Sequence, residues 1–201
     1  AVQTCGKYMR MDGSVQKINI AGIIAGMVSR AAESTSIAYV REFPISSRKL
    51  TELYPAGIEE YMETLDEGRY IALRKHTGKD DWYAISANTT AKASSDFSFI
   101  ENCRVMYRAV REVCKIATEL QNMDYDGENR EVELKAVQEE LQVPVDDMKN
   151  EKVISDGSVT ILMDEIDDRT GLMPVKVELV RRGYIRSISL TFTAVNPTAG
   201  E

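Results

Sequence analysis

His76 is the first candidate for chemistry in this chain, because it is the only histidine among 201 residues and imidazole titrates near neutral pH. It lies in a polar stretch with Lys75, Lys79 and Asp80. The sequence places no serine or cysteine beside it, whereas nucleophilic catalysis needs a nucleophile within hydrogen-bond reach of the base. We therefore interpret His76 as an exposed loop residue, and the sequence predicts no catalytic residue.

Two acidic stretches are the candidates for metal binding. Residues 124–128, DYDGE, are partly similar to the start of a calcium loop but lack the later ligands at their spacing. Residues 163–171, MDEIDDRTG, carry carboxylates without an ordered pattern. The phosphate-binding motifs GxGxxG and GxxxxGK[ST] are absent from the sequence. The sequence therefore predicts acidic turns, no metal site and no cofactor.

A row of cations is the strongest candidate for a binding surface. It lies on the helix predicted over residues 97–122. The row consists of Arg104, Arg108, Arg111 and Lys115. At about 100° per residue, these side chains fall within an arc of about 60° on the helix. Glu101 and Glu112 are spaced to pair with members of the row, so two interpretations stay open: a solvated, partly self-paired face, or a docking surface for an acidic partner.

The helix that carries the row also has a clear apolar periodicity, which predicts the face that packs in the core. The predicted core residues are Phe99, Cys103, Met106, Val110, Val113, Ala117 and Leu120, with Ile100, Tyr107 and Cys114 widening the face. A second, strongly charged amphipathic helix is predicted within residues 126–152, with Val132, Leu134, Val137 and Leu141 on its apolar side. Pro144 is expected to end it, because proline lacks the amide that a helix interior needs.

The first half of the chain contains a predicted helix that starts at Ser14 and runs to about Ala32, with Ser14 as its cap. Within it, Gly22 and Gly26 each follow an alanine, at a spacing of four residues. Such a row of small residues lets another backbone approach closely. We interpret Gly22 and Gly26 either as sites of close internal helix packing or as a contact with another subunit.

Strand patterns appear at several places. Residues 37–45 are predicted as a strand that ends at Pro44, and residues 46–68 as short helical turns interrupted at Pro55. Residues 69–87 are predicted as a β-hairpin with its turn near Gly78. A further short strand is expected at residues 159–163.

Residues 174–197 hold two alternating apolar runs joined by Arg181, Arg182 and Gly183, which predicts a C-terminal β-hairpin. Ile188, Leu190 and Phe192 lie on one face of its second run. Together the elements predict an α+β fold, in which one mixed sheet is covered by helices. The outer edge of the terminal hairpin is left without a partner in this arrangement.

Composition limits the classes of partner. The net charge is −7 and the pI about 5.0, so no general attraction to nucleic acid or to an anionic membrane is expected. The three cysteines form no CxxC pair, which indicates free thiols in a reducing, cytosolic environment. No apolar run approaches the roughly 18 to 20 residues of a membrane span, and no signal peptide pattern occurs.

With 43% hydrophobic residues, the chain has enough apolar side chains for one ordinary domain. We predict a single domain over residues 1–201, with a lead-in at 1–13, a folded core at 14–195 and a tail at 196–201. Because the chain begins at Ala1 rather than at methionine, we expect it to be a piece of a longer protein.

The order of these elements resembles the C-terminal domain of contractile tail sheath proteins. INIAGIIAGMVSRAAES is similar to the segment that opens that domain, and LYPAGIEEYMETLDEGRYIALRKHTGKDDWYAISANTTA is similar to the segment that follows. The long helix FSFIENCRVMYRAVREVCKIA and a final strand pair complete the resemblance, which covers most of residues 14–195. Asn88 stands where the family usually has an arginine, and residues 128–141 have no clear counterpart.

The resemblance implies a structural role in a phage, prophage or related injection device. The terminal strand would reach into a neighbouring sheath subunit and complete its sheet. The residues implied in this strand exchange are Ile185, Ile188, Leu190 and Phe192. The domain would lie innermost, so the cationic row would dock on the tail tube protein.

The resemblance implies no cofactor, and a location in the virion tail sheath after assembly in the host bacterial cytoplasm. The alternative is a small cytosolic α+β enzyme or ligand-binding domain. Such a domain would need a cleft with convergent polar groups, and the sequence offers no candidate motif for one.

Overall fold

The structure is a computed structural model that describes residues 2, 5–167 and 169–191. Its first half contains a three-stranded antiparallel sheet in the order β2-β1-β3. These strands are β1 (Cys5–Met9), β2 (Val15–Asn19) and β3 (Leu50–Tyr54). Helix α1 (Ala21–Arg30) follows β2, and a short helix α2 (Met62–Glu67) follows β3.

The predicted helix from Ser14 to Ala32 is wrong in its first part, because residues Val15–Asn19 form strand β2. This strand pairs with β1 along its whole length, and those hydrogen bonds outweigh the local helical preference. Ser14 does not cap the helix: its amide donates to Asp12 Oδ1 at 2.9 Å in the turn before β2. Asn19 Oδ1 instead accepts a hydrogen bond from the amide of Ala21, at 2.8 Å.

The predicted strand over residues 37–45 is also wrong, since this segment consists of turns in which only Ile45 forms a bridge, with Trp82. Ile37 and Phe43 are buried in the core without strand pairing, which explains the apolar pattern. The predicted hairpin is confirmed: β4 (Leu73–Lys75) pairs antiparallel with β5 (Trp82–Ala84). Residues 46–68 are only partly helical, because residues 50–54 within them form strand β3.

The elements of the first half enclose one hydrophobic core, which runs from Ile20 to Ala87 along the chain. Its largest fully buried side chains include Ile20, Leu50 and Leu73. The indole Nε1 of Trp82 donates to the carbonyl of Leu50 at 2.7 Å, so the only polar group of this buried ring has a hydrogen-bond partner.

The second half contains two long helices and a two-stranded sheet. Helix α3 spans Ile100–Glu119, helix α4 spans Arg130–Asn150, and strand β6 (Ile154–Ile161) pairs antiparallel with β7 (Val175–Arg181). These elements share a second hydrophobic core, centred on Val105, Leu141 and Val145. Strand β6 is longer than the predicted residues 159–163 and ends two residues earlier.

Helix α3 is present as predicted, but most of its predicted core face is wrong. The buried residues of the helix are Glu101, Asn102, Val105, Ala109 and Val113. Tyr107 and Val110, placed in the core by the periodicity, are 66% and 56% exposed. Apolar residues occupy much of the circumference of this helix, so the packing of α4, and not the periodicity, selects the face.

Pro144 does not end helix α4, which continues to Asn150. The amide that proline lacks would have bonded the carbonyl of Glu140, an exposed residue whose carbonyl can bind water. Val145 and Met148, after the proline, are only 0% and 1% exposed. Burial of these two side chains offsets the lost hydrogen bond. Val132, predicted on the apolar side, is 70% exposed.

The predicted α+β class is confirmed. The single mixed sheet is wrong in detail, because the described strands form three separate antiparallel sheets of three, two and two strands. Each half of the chain buries its own apolar residues, so strands from the two halves have no common core that would join them into one sheet.

Candidate functional site

Strand β7 has an open edge. Among the described residues it pairs only with β6, over seven residues from Val175 to Arg181. The far edge of β6 is covered, because Gln142 Oε1 accepts from the amide of Val159 at 2.8 Å and Gln138 Oε1 accepts from that of Ile161 at 3.1 Å. The outer edge of β7 is therefore the place where a further strand can join this sheet.

A cleft of about 790 Å³ runs along β7, between this strand, the loop before α3 and the chain after β7. Its walls are mixed: polar and charged side chains such as Asp96 and Arg181 alternate with apolar and aromatic ones, namely Phe97, Phe99, Met106, Leu179, Val180 and Tyr184. The apolar side chains offer contacts to an incoming apolar residue, while the backbone of β7 offers hydrogen bonds. These are the two requirements for binding an extended segment.

The predicted C-terminal hairpin is wrong for the described residues. Strand β7 corresponds to its first run, but its partner is β6, and residues 182–191 contain no helix or strand. Ile185, Ile188 and Leu190 are 85%, 74% and 71% exposed. Phe192, the remaining candidate for strand exchange, lies outside the described residues. The terminal run (residues 184–197), as far as the structure describes it, thus presents apolar side chains to solvent without a strand partner.

The start of the terminal run is held against the rest of the chain. Tyr184 Oη donates to the carbonyl of Ser34 at 2.7 Å, and Arg186 Nη2 donates to Glu101 Oε1 at 3.0 Å. Burial raises the pKa of Tyr184, and the nearby charge of Glu101 raises it further. The spacing along α3 predicted that Glu101 pairs with the cationic row instead. No spacing rule could have found the pair, because 85 residues separate its members.

The four members of the cationic row differ in their contacts: two bind other elements of the chain and two face the solvent. Arg104 donates to the carbonyls of Ala31 and Ala32, at 2.8 and 3.1 Å, and so binds the end of α1. Arg108 pairs with Glu151 at 2.6 Å and with Glu33 at 3.7 Å, and its side chain is only 19% exposed. These two arginines join α3 to its neighbours.

Arg111 and Lys115 are the solvent-facing members of the row, with side chains 60% and 61% exposed. Both pair with Glu112, at 3.1 and 2.6 Å. The hydrogen bond from Lys115 and then that from Arg111 lower the pKa of Glu112. Tyr107 and Val110 are exposed on the same helix. The solvent-exposed face of α3 therefore combines two cationic side chains with the side chains of Tyr107 and Val110.

The expected close internal packing at Gly22 and Gly26 is wrong. Both residues are exposed on α1, and a Cβ built on either would have no heavy atom within 4 Å among the described residues. Helix α1 instead buries Ile24 and Met27 on its other side. The alternative, contact of the two glycines with another subunit, stays a prediction.

His76 lies in the loop after β4, as predicted, but it is half-buried. Its ring centroid is 5.5 Å from that of Tyr83. Burial lowers the pKa of His76, and the charges of Arg74 and Lys79 lower it further. Within the described ranges, no group of three or more His, Cys, Asp or Glu side chains is placed to hold a metal ion. No helix in the part of the chain that the structure describes is long and apolar enough to cross a membrane.

The fold is similar to chains in solved structures of contractile injection systems. A chain in the contracted sheath complex of the extracellular injection system PVC matches with a TM-score of 0.71 and 15% identity over 93% of this chain and 54% of that chain. A chain in the contracted helical sheath of the anti-feeding prophage matches with a TM-score of 0.68 and 13% identity, over 94% of this chain and 54% of that chain. A chain in the baseplate of the same prophage matches with a TM-score of 0.68 and 14% identity, over 94% of this chain and 53% of that chain.

The resemblance to sheath proteins that the sequence suggested is therefore confirmed at the level of the fold. The present chain spans about half the length of the chains it matches. No curated protein shows significant sequence similarity to it.

Two family models match consecutive parts of the sequence. The N-terminal domain of DUF2586 matches residues 1–88, and the C-terminal domain of DUF2586 matches residues 96–199. The two parts correspond to the two hydrophobic cores, and the boundary between them along the sequence falls in the loop before α3. Together they cover nearly the whole sequence, and the chain therefore belongs to the DUF2586 family.

Proposed function

We propose that the chain is a structural part of a contractile sheath, in a phage, a prophage or a related injection device. In this role it assembles with other copies around a tail tube, and the sheath that they form shortens to drive the tube. The observation that carries the proposal is the likeness of its fold, over 93% and 94% of the chain, to chains in two contracted sheath assemblies. The role is mechanical and involves no catalytic residue and no cofactor.

The arrangement at β7 supports a link between subunits. Among the described residues, strand β7 has one edge without a strand partner, beside a cleft that contains apolar and polar side chains, and Ile188 and Leu190 of the terminal run are exposed and unpaired. A terminal run from one copy that pairs with β7 of another would satisfy the backbone groups of both. Because the donor and acceptor surfaces differ, each copy can give one strand and receive another, which extends an open assembly.

Such links allow a lattice to change its packing without falling apart. The subunits rotate between two packings, and the connected strands keep neighbours together during the change. The free energy that drives shortening is then the difference between the extended and contracted packings. No chemical reaction by this chain is needed.

The proposed partner of α3 is the tail tube protein. Arg111 and Lys115 are exposed and lie close to Tyr107 and Val110, which favours a partner with acidic and apolar groups. Arg104 and Arg108 keep only a supporting role in this contact, because each already binds groups of its own chain. The proposed location is the virion tail sheath, after assembly in the bacterial cytoplasm, where the three free cysteines would stay reduced.

Negative-stain electron microscopy of the full-length protein tests the proposed function. We expect helical tubes of sheath width, because the donor and acceptor strands of all copies can pair in series. A full-length protein that stays dispersed under all assembly conditions, and that purifies with a stoichiometric small molecule, would instead support the enzyme or ligand-binding alternative.

Charge reversal on α3 tests the docking on the tube. We expect the double variant Arg111→Glu with Lys115→Glu to fold normally, since exposed ion pairs are worth about 0 to 1 kcal/mol. Its sheath should fail to assemble on the tube, because like charges at an acidic interface oppose binding. Co-sedimentation of sheath with tube protein measures this. A matched control is Lys49→Glu with Lys135→Glu, which makes the same change in net charge at exposed positions elsewhere. Normal sheathed tubes from the α3 variant would leave only the solvated-face interpretation.

A further inference from the structure

We infer that the Glu101–Arg186 pair is a structural anchor that determines where the terminal run leaves its own subunit. The chain up to Arg186 stays on its own fold, and only residues from Ser187 onward can pass to a neighbour. The inference rests on the strand exchange of the proposed function, and it names the residues that position the exchanged strand.

Glu101 is the acceptor of the anchor. It lies in the first turn of α3 and is only 1% exposed, although its side chain is a carboxylate. Within the described residues, its Oε2 atom has no hydrogen-bond partner, so the contact of Oε1 with Arg186 is the charge-compensating interaction. A buried carboxylate is unfavourable without an oppositely charged partner. Folding of the second half of the chain therefore favours conformations in which Arg186 is present at this place.

Arg186 is held by more than the charge. Its guanidinium carbon is 3.4 Å from the centroid of the Phe99 ring, and 5.1 Å from that of Tyr184. A planar guanidinium can stack on a ring while its edge donates to a carboxylate, which lysine cannot do. The identity of the side chain at position 186 is therefore specific to this site.

Other contacts strengthen the anchored part of the chain. Arg181 donates to Asp96 at 2.9 Å, Arg182 donates to the carbonyl of Lys152 at 3.0 Å, and Tyr184 donates to the carbonyl of Ser34. Beyond Arg186 the pattern changes: residues 187–191 make no side-chain hydrogen bond or ion pair within the described residues. The boundary between held and free chain thus falls directly after Arg186.

The alternation of the terminal run fits the same boundary. Ile188 and Leu190 are two residues apart and lie on one face of an extended strand, and Phe192 continues the series. Ile185 has the opposite parity and lies between the two anchoring side chains of Tyr184 and Arg186. Ile185, although 85% exposed, is therefore excluded from the exchanged strand.

Backbone order parameters of the 201-residue chain, measured by ¹⁵N relaxation, test the anchor. In the unmodified chain we expect residues 184–186 to have values near 0.85, and residues 188–190 to have values below about 0.6. In Arg186→Gln, residues 184–186 should also fall below about 0.6. The matched control Arg48→Gln removes the same charge from an exposed position far along the chain from this segment, and it should leave residues 184–186 rigid. Flexible residues 184–186 in the unmodified chain, or unchanged values in Arg186→Gln, would overturn the inference.

A second variant separates anchoring from folding. Arg186→Gln leaves a buried unpaired carboxylate and should lower the midpoint of urea unfolding, whereas adding Glu101→Gln removes that charge and should restore most of the midpoint. The double variant should keep the mobile residues 184–186, because the anchor is still absent. Recovery of rigidity in the double variant would mean that the pair does not hold the segment.

The two proposals fail in different ways. If the unmodified full-length protein forms no tubes, the proposed function fails, while the relaxation data still decide whether Arg186 holds the segment. If tubes form and Arg186→Gln assembles with the same yield and the same rigid residues 184–186, the anchor alone is wrong.

Discussion

Deletion of residues 187–201 from the full-length protein is expected to abolish sheath polymerisation and to leave the rest of the chain folded. The deletion removes the proposed donor strand, with Ile188 and Leu190, but it retains the anchor at Arg186. The side chains of Ile188 and Leu190, the apolar ones removed among the described residues, are 74% and 71% exposed, so their loss takes little from the core. Electron microscopy measures the polymerisation, and thermal unfolding followed by circular dichroism measures the stability.

A point substitution distinguishes strand pairing from a simple loss of length. Ser189→Pro removes one amide donor and restricts φ to about −65°, which a strand paired with β7 would not tolerate well. It should reduce polymerisation strongly while keeping the full length of the chain. Deletion of residues 197–201 is the control, because it shortens the chain without touching the alternating residues. Full-length, contractile sheaths from both the 187–201 deletion and Ser189→Pro would show that the terminal run does not link subunits.

The largest effect on folding is expected at Gly157, where α4 crosses β6. A Cβ built on Gly157 would lie 2.5 Å from Val145 Cγ1 and 3.0 Å from Leu179 Cδ2. Val145 is fully buried on α4 and has no free space in which to move, whereas Leu179 is partly buried on β7, at the wall of the cleft. Overpacking of this kind costs about 1 to 3 kcal/mol. We therefore expect Gly157→Ala to lower the free energy of unfolding by about that amount, measured by urea titration.

Gly26→Ala is the matched control for this substitution. A Cβ at Gly26 meets no heavy atom within 4 Å, and the residue is inside helix α1. Replacing a helical glycine by alanine stabilises a protein by roughly 0.5 to 1 kcal/mol. The change from glycine to alanine should thus raise the free energy of unfolding at position 26 and lower it at position 157. If the free energy of unfolding of Gly157→Ala equals or exceeds that of the unmodified chain, α4 can shift away from β6 without losing stabilising contacts.

Several features followed from the sequence by itself, because they depend on neighbours along the chain. The β4–β5 hairpin was predicted from two short apolar runs around a polar turn, and α3 from a long run at helical spacing. The α+β class and the likeness to sheath proteins followed from the order of such elements. Local hydrogen bonding and side-chain periodicity are sufficient for these features.

Other features depended on contacts between distant residues. Val15–Asn19 became a strand because β1 lies beside it, and α4 continued through Pro144 because the residues after the proline are buried. The buried face of α3 was selected by α4 from a helix with apolar side chains around much of its surface. In each case the local pattern allowed two structures, and the free energy of packing decided between them.

The candidate site belongs almost entirely to this second group. The sequence by itself determined that the terminal run alternates and that α3 carries a row of cations. Only the tertiary structure decided that β7 pairs with β6 and has an open outer edge, that Arg104 and Arg108 bind groups of their own chain, and that Arg186 meets Glu101. The physical reason is that the desolvation of a charge and the pairing of a strand edge depend on groups brought together by folding, which spacing along the chain does not specify.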